Sequence, residues 1–255
     1  METIKMWQIS DDTNRQFRYF QFGLQRTGTT IIDAIIKQNW GYWKANDARQ
    51  HAPKPFTLQP QPDTVWKHDI KIPENYDRTA PTVLVYKSPY TWAESMAFRR
   101  GLGNGGWNQS WGHEHLDLYP QPKPGWNNLT FPGQGTVNIG QIMYVYRDWF
   151  NTWLPYAKEN PDNVTLIKYE DLLNDEKRSE IFKTIATKAG WDIIENPTWP
   201  MHVGSSQPMD EERINYYIKG RPTNEMFYQH GRRYLNSIND ILGQELIVSL
   251  GYEIL

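Results

Sequence analysis

A glycine-bearing turn between two apolar runs is the feature that most limits what this chain can fold into. The aromatic run Phe17–Phe22 leads into the turn, and an apolar run that begins at Ile31 leads out of it. The second run predicts a helix over 29–39 with Gly41 as its C-terminal stop. A strand, a glycine turn and a helix start together direct backbone N–H groups and the positive end of the helix dipole toward one point, where an anion can bind. The pattern therefore predicts an α/β fold with a phosphate-binding turn.

The turn departs from the loop that binds nucleoside triphosphates. Gly23 and Gly28 have the spacing of the two Walker glycines, but Thr29 occupies the position of the Walker lysine. The basic residue lies three positions earlier, at Arg26. Such a loop can still hold a phosphate, but it lacks the lysine that bridges the β- and γ-phosphates.

The segment 23–30 resembles the 5′-phosphosulfate loop of the sulfotransferases that use 3′-phosphoadenosine-5′-phosphosulfate (PAPS). The resemblance implies a P-loop fold, PAPS as co-substrate, adenosine 3′,5′-bisphosphate (PAP) as product, and no metal requirement. It assigns to the nucleotide Arg26, Thr27, Gly28, Thr29 and Thr30. It also makes Arg26 catalytic, as the cation beside the leaving phosphate. The alternative is a tight glycine turn in an unrelated α/β protein.

A second match follows the apolar run 83–86, which predicts a strand buried on both faces. Lys87 closes this run, and Ser95 lies eight positions further on, in a predicted helix over 91–100. In the sulfotransferases an arginine and a serine at this spacing hold the 3′-phosphate. Lys87 replaces the arginine with a point charge instead of a bidentate fork. An exposed lysine and an unrelated helix serine are the alternative.

A third match lies in the predicted strand 164–169, which is followed by Glu170 and Asp171. It resembles the family's strand ending in Tyr-Glu-Asp-Leu, where the tyrosine lies beside the adenine. The resemblance therefore assigns Tyr169 to nucleotide binding. Acidic residues at a strand-to-helix junction are typical of helix N-caps, which is the interpretation we adopt for Glu170 and Asp171.

The segment 65–73 loosely resembles the Lys-x-His-Leu-Pro segment of the cytosolic sulfotransferases, whose histidine takes the proton from the acceptor. The resemblance makes His68 the catalytic base, although Asp69 stands where an apolar residue is expected. A short run, 64–66, precedes it and could form a strand. The alternative for His68 is a surface histidine.

The C-terminal third contains a basic, glycine-bearing segment. Lys219, Gly220 and Arg221 resemble the residues with which the family closes over the 3′-phosphate. The segment 231–233 is the alternative, but it leads directly into a helical run, so its arginines could face solvent.

Residues 101–135 are rich in Gly, Pro and Asn, with aromatic residues between them, and they show no helical or strand period. We predict an irregular insertion that closes over the acceptor; a loop packed on the body by its own aromatics is the alternative. The sequence His113-Glu114-His115 does not indicate a metal site, because residues two apart suit a metal on a strand and no third ligand is evident.

Composition narrows the class of protein. The chain has 255 residues, 27 basic and 29 acidic side chains, and no cysteine. The near balance of charge argues against nucleic acid as a partner, and the absence of cysteine excludes disulfides and thiolate chemistry. We find no apolar run of membrane-spanning length and no signal peptide, and we expect a cytoplasmic protein.

Together these features predict one α/β domain over 1–255, with a central parallel sheet flanked by helices and ligands at the carboxyl ends of the strands. The expected function is sulfuryl transfer from PAPS to a hydroxyl or amine of a small molecule or glycan. Two alternatives stay open: a P-loop kinase or NTPase with an aberrant loop, and a non-catalytic glycan-binding module. The oligomeric state is not predicted.

Overall fold

The computed structural model describes residues 17–24, 27–44, 46, 70–74, 76–97, 128–131, 135–198 and 232–255. In chain order the elements are β1 (Phe17–Phe22), α1 (Thr29–Trp40), β2 (Trp43–Lys44), β3 (Thr82–Tyr86), α2 (Pro89–Ala97), β4 (Asn128–Phe131), β5 (Gly135–Asn138), α3 (Ile139–Glu159), β6 (Val164–Lys168), a 3₁₀ helix (Tyr169–Leu173), α4 (Asp175–Ala189), α5 (Arg232–Leu242) and α6 (Gln244–Ser249).

A four-stranded parallel sheet forms the centre of the described structure, in the order β2-β1-β3-β6. Strand β3 pairs with β1 through Phe22 and Leu84, and with β6 through Leu84 and Leu166. The prediction of an α/β fold with a parallel sheet is confirmed. Because all four strands run in one direction, their carboxyl ends lie at the same edge of the sheet.

The two faces of the sheet are covered by different helices. On β1, Tyr19 belongs to one apolar cluster while Phe20 and Phe22 belong to the other, as the two-residue period of a strand requires. Helices α1 and α4 pack on the Tyr19 face, and α2, α3, α5 and α6 pack on the Phe22 face. The predicted strand 83–86 is buried on both faces because Val83 faces one cluster and Leu84 the other.

Most helix bounds follow the sequence. Helix α1 ends where predicted, since Gly41 adopts φ 70° and its N–H donates to the Lys37 carbonyl over 3.0 Å. Helix α3 passes through the exposed Pro155 and ends at Glu159, ahead of Pro161. Helix α2 begins two residues earlier than predicted, at Pro89.

The prediction that 101–135 lacks strands is wrong for its last residues. Strands β4 and β5 form an antiparallel pair that aligns Asn128 with Asn138 and Phe131 with Gly135. Cross-strand backbone hydrogen bonds stabilise this hairpin without requiring a clear alternation in the sequence. Residues 101–127 and 132–134 lie outside the described residues, as does the predicted strand 64–66.

Candidate functional site

Three of the predicted positions meet at the carboxyl edge of the sheet. The turn that contains Gly28 follows β1, Lys87 follows β3, and Tyr169 follows β6. This edge, which we call the rim, is where open α/β sheets bind ligands.

The turn after β1 has the geometry of an anion-binding helix start. Gly28 has φ 97°, and its carbonyl accepts hydrogen bonds from the N–H groups of Ile31 and Ile32 over 3.1 and 3.2 Å. The Thr27 hydroxyl donates to the Leu24 carbonyl over 2.6 Å, which closes the loop on itself. The N–H groups ahead of Ile31 lie at the start of α1, next to the rim, where helix N–H groups and the helix dipole favour an anion.

Two glycines let this turn pack closely against the neighbouring strands. A Cβ atom on Gly28 would lie 2.3 Å from Cδ2 of the Tyr169 ring, and one on Gly23 would lie 2.6 Å from the Val85 carbonyl oxygen. Neither approach leaves room for a side chain. The glycines of the predicted loop therefore serve close contact with β3 and with Tyr169.

Lys87 and Ser95 lie in direct contact. The Lys87 ammonium, 1% exposed as a residue, donates to the Ser95 hydroxyl over 2.7 Å, and Ser95 donates to the Thr91 carbonyl over 2.7 Å. The Lys87 Nζ also lies 5.8 Å from the centre of the Tyr169 ring. The Lys87 ammonium is therefore enclosed at the rim beside the Ser95 hydroxyl and the Tyr169 ring.

The backbone beside Lys87 is held from two sides. The Tyr146 hydroxyl donates to the Lys87 carbonyl over 2.6 Å. The next N–H, of Ser88, donates to the Glu170 carboxylate over 2.9 Å, and the Tyr252 hydroxyl donates to the other Glu170 oxygen over 2.7 Å.

Glu170 is a buried carboxylate, only 6% exposed. Burial raises its pKa, while the bonds from Ser88 and Tyr252 and the charge of Lys87 act in the opposite direction. The N-cap interpretation is wrong for Glu170 and Asp171, because α4 is capped by the Asn174 side chain, which accepts from the Lys177 N–H over 3.0 Å. A strand-end acidic residue gives no sequence signal of which distant N–H it will reach.

A second charged cluster, not identified from the sequence, lies behind the turn. Asp33 of α1 accepts from the Tyr19 hydroxyl over 3.0 Å and pairs with Lys44 of β2 over 3.1 Å and with Lys37 over 2.7 Å. Burial raises the pKa of this carboxyl, but the two ammonium groups outweigh burial and lower it. The two-residue strand β2 is too short to show a period, so nothing in the sequence marked Lys44.

The remaining predicted site residues lie outside the described residues. They are Arg26, His68, Lys219, Gly220 and Arg221. Each of the six histidines, including those of His113-Glu114-His115, lies outside as well. The structure therefore places seven of the predicted site residues at the rim, and the binding and catalytic roles of all twelve stay predictions; the seven are Thr27, Gly28, Thr29, Thr30, Lys87, Ser95 and Tyr169.

The described part of the chain contains no group of three or more acidic or histidine side chains that could hold a metal ion. None of its helices combines the length and the apolar character needed to cross a bilayer.

The chain matches no model of a known protein family. No curated protein and no solved structure matches it either.

Proposed function

We propose that this protein is a sulfotransferase that moves a sulfuryl group from PAPS to a hydroxyl or amine of a small-molecule or glycan acceptor. The observation that carries the proposal is the contact between Lys87 Nζ and Ser95 Oγ, 2.7 Å apart, on the same rim as the glycine turn. PAPS has two separate anionic groups, at the 5′ and 3′ positions. The glycine turn and the Lys87–Ser95 contact are the two separate positions on the rim to which we assign these groups.

Each position suits one end of the nucleotide. The start of α1 presents first-turn N–H groups to the 5′-phosphosulfate, with no bulky side chain on Gly28 to block it. The Lys87–Ser95 pair presents a cation and a hydroxyl to the 3′-phosphate. The Tyr169 ring lies close to both Gly28 and Lys87, and we assign it to the adenine.

The proposed reaction is an in-line displacement at sulfur. The acceptor oxygen or nitrogen forms a bond to sulfur while the bond from sulfur to the 5′-phosphate oxygen breaks, which leaves PAP. The acceptor proton passes to a base, for which His68 is our candidate. Negative charge that develops on the leaving phosphate is stabilised by the N–H groups of α1 and by Arg26.

The alternatives are a kinase-type P-loop enzyme and a glycan-binding module. Thr29, which begins α1, stands where a kinase loop needs its lysine, and this disfavours triphosphate chemistry. A glycan-binding module would not need a buried ammonium at the rim.

Calorimetry on the wild-type protein separates these functions. In the presence of EDTA we expect PAP to bind, because the cation and amides on the protein supply the neutralisation. ATP with Mg²⁺ and neutral oligosaccharides are the comparison ligands. A strict metal requirement, or tighter binding of ATP with Mg²⁺ than of PAP, would overturn the sulfotransferase proposal.

Turnover of PAPS tests the two catalytic assignments. His68→Ala should lower the transfer rate by about two to four orders of magnitude, as expected for loss of a general base, and leave PAP affinity intact. Arg26→Ala should likewise reduce turnover far more than affinity, since its charge acts on the leaving group. Near-normal turnover in the His68 variant would place the base elsewhere.

A further inference from the structure

We propose that Tyr252 and Glu170 form a brace that positions Lys87 for the 3′-phosphate, so that the C-terminal segment contributes to nucleotide selectivity. This inference rests on the proposed function. Neither residue is expected to touch the nucleotide; both are positioning residues that act through the backbone at Ser88.

A chain of hydrogen bonds links the C-terminal segment to the backbone beside Lys87. The Tyr252 hydroxyl donates to one Glu170 oxygen over 2.7 Å, and the Ser88 N–H donates to the other over 2.9 Å. Ser88 directly follows Lys87, and its carbonyl accepts the Trp92 N–H over 2.8 Å at the start of α2. The brace therefore holds the corner from which the Lys87 side chain departs and on which α2, with Ser95, begins.

The other side of this corner is also fixed, at the Lys87 carbonyl. The Tyr146 hydroxyl of α3 donates to the Lys87 carbonyl over 2.6 Å, and Tyr146 is fully buried. With one anchor on the carbonyl and one on the following N–H, the peptide plane between Lys87 and Ser88 has a set orientation. Loss of either anchor lets this plane rotate and moves Nζ relative to Ser95.

Tyr252 is itself held in place by its neighbours. Its ring lies 3.9 Å from the Lys168 ammonium, which also donates to the Gly251 carbonyl over 2.8 Å. The ring meets Tyr86 edge to face at a centroid distance of 6.2 Å. These contacts fix the ring and aim the hydroxyl at Glu170, so a phenylalanine at 252 would keep the ring packing and lose only the brace.

The brace also acts on Lys87 electrostatically, through Glu170. Glu170 is buried and its charge acts on Lys87, which lies one residue from the N–H that it binds. In a low-dielectric surrounding this attraction between the Glu170 carboxylate and the Lys87 ammonium is stronger than it would be in water. Loss of the brace should therefore weaken the binding of a ligand group that contacts Lys87, and it should have less effect on the binding of a group that contacts only the turn before α1.

The test compares the affinities of PAP and AMP for three folded variants. Tyr252→Phe removes the hydroxyl, and Glu170→Gln keeps the shape of the carboxylate but removes its charge. Tyr90→Phe is the matched control, because the Tyr90 hydroxyl also holds the C-terminal segment, through Asn239 over 2.6 Å and the Leu255 N–H over 3.2 Å, and has no bond to Glu170.

We expect Tyr252→Phe and Glu170→Gln to weaken PAP by about three- to tenfold relative to AMP, the effect of one lost hydrogen bond, and Tyr90→Phe to leave the ratio unchanged. Equal weakening of both nucleotides, or the same change in the control, would overturn the brace. If Tyr252→Phe does not fold, Glu170→Gln decides alone. Wild-type protein that binds PAP no better than AMP would instead overturn the proposed function, which separates the two failures.

Discussion

At the scale of single residues, the rim depends on one position without a side chain, Gly28, and on one with a cationic side chain, Lys87. Gly28 needs both its positive φ and its missing Cβ, because the Tyr169 ring occupies the space a side chain would take. Lys87 is the opposite case, a buried side chain whose ammonium donates to the Ser95 hydroxyl at the rim. Both are sites where a small substitution should have a specific effect.

Gly28→Ala should disrupt the turn more than the backbone strain alone would. The alanine faces φ 97° and an overlap with Tyr169, so we expect a loss of about 2–4 kcal/mol in the free energy of unfolding, measured by denaturant titration. Gly190→Ala is the matched control, since Gly190 has φ 65° and no atom within 4 Å of a built Cβ. A loss equal to that of the control would contradict the role of the ring.

Lys87→Ala and Ser95→Ala should weaken PAP and spare AMP, because their contact forms the proposed site for the 3′-phosphate. Calorimetry with both nucleotides measures the difference, which should be about tenfold or more for the lysine. Ser249→Ala is the control, because the Ser249 hydroxyl also donates to a helix carbonyl, that of Leu246, outside the rim. Equal losses for the two nucleotides would refute the assignment of both residues.

At the scale of elements, Asp33 joins α1 to β2 at the edge of the sheet. Lys44 is 2% exposed in its side chain and pairs with Asp33, whereas Lys37 pairs from a more exposed position one helical turn away. The pair fixes α1, which follows the glycine turn, against the neighbouring strand β2. Because the pKa of Asp33 is lowered, the contribution of its carboxylate to stability can be followed by varying the pH.

Asp33→Asn should destabilise the protein near neutral pH by about 3–5 kcal/mol, because it leaves the Lys44 ammonium buried without its carboxylate. The folded pKa of Asp33 lies below the unfolded value, so its contribution is present above the unfolded value and is lost as the pH falls through the folded one. The difference between wild type and variant should therefore shrink below about pH 4.

Urea titrations at several pH values measure this, with Lys37→Met as the control. That variant removes the more exposed partner and should cost at most about 1 kcal/mol. A difference between wild type and Asp33→Asn that stays constant down to acidic pH would show that the carboxylate charge contributes nothing.

At the scale of the whole molecule, one sheet separates two apolar clusters. Phe22 stacks on Trp153 at a centroid distance of 4.3 Å on one face, and Phe182 stacks on Trp40 at 6.1 Å on the other. Both phenylalanines are fully buried. Because β1 and β3 contribute side chains to both clusters, neither cluster can be lost while the other stays intact.

Phe22→Leu and Phe182→Leu should therefore each lower the free energy of unfolding by about 1–2 kcal/mol. Both variants should shift the midpoint of the same unfolding transition. Tryptophan fluorescence and far-ultraviolet circular dichroism should give coincident curves. Ile193→Ala, at an exposed position, should change stability by less than about 0.5 kcal/mol. Two separate transitions, one of them shifted by the Phe182 variant alone, would contradict the shared sheet.

Local pattern was enough to predict strands β1, β3 and β6, helix α1 and the turn between β1 and α1. The run before Gly23, the glycine at 41 and the apolar run at 83–86 depend on steric preferences and on periods of two or 3.6 residues, which neighbouring residues decide. The parallel sheet followed, because alternating strands and helices have few other arrangements. The placement of Gly28, Lys87 and Tyr169 at one edge was predictable for the same reason.

The partners of charged and polar side chains were decided by the tertiary structure. Glu170 looked like a helix cap, but it reaches Tyr252, 82 positions away, and the N–H of Ser88. Asp33 found Lys44 on a strand too short to show a period. A hydrogen bond or ion pair depends on which atoms the packed sheet brings within about 3 Å, and no local preference carries that information. The sequence by itself therefore determined the framework and the rim, whereas folding decided which groups support it.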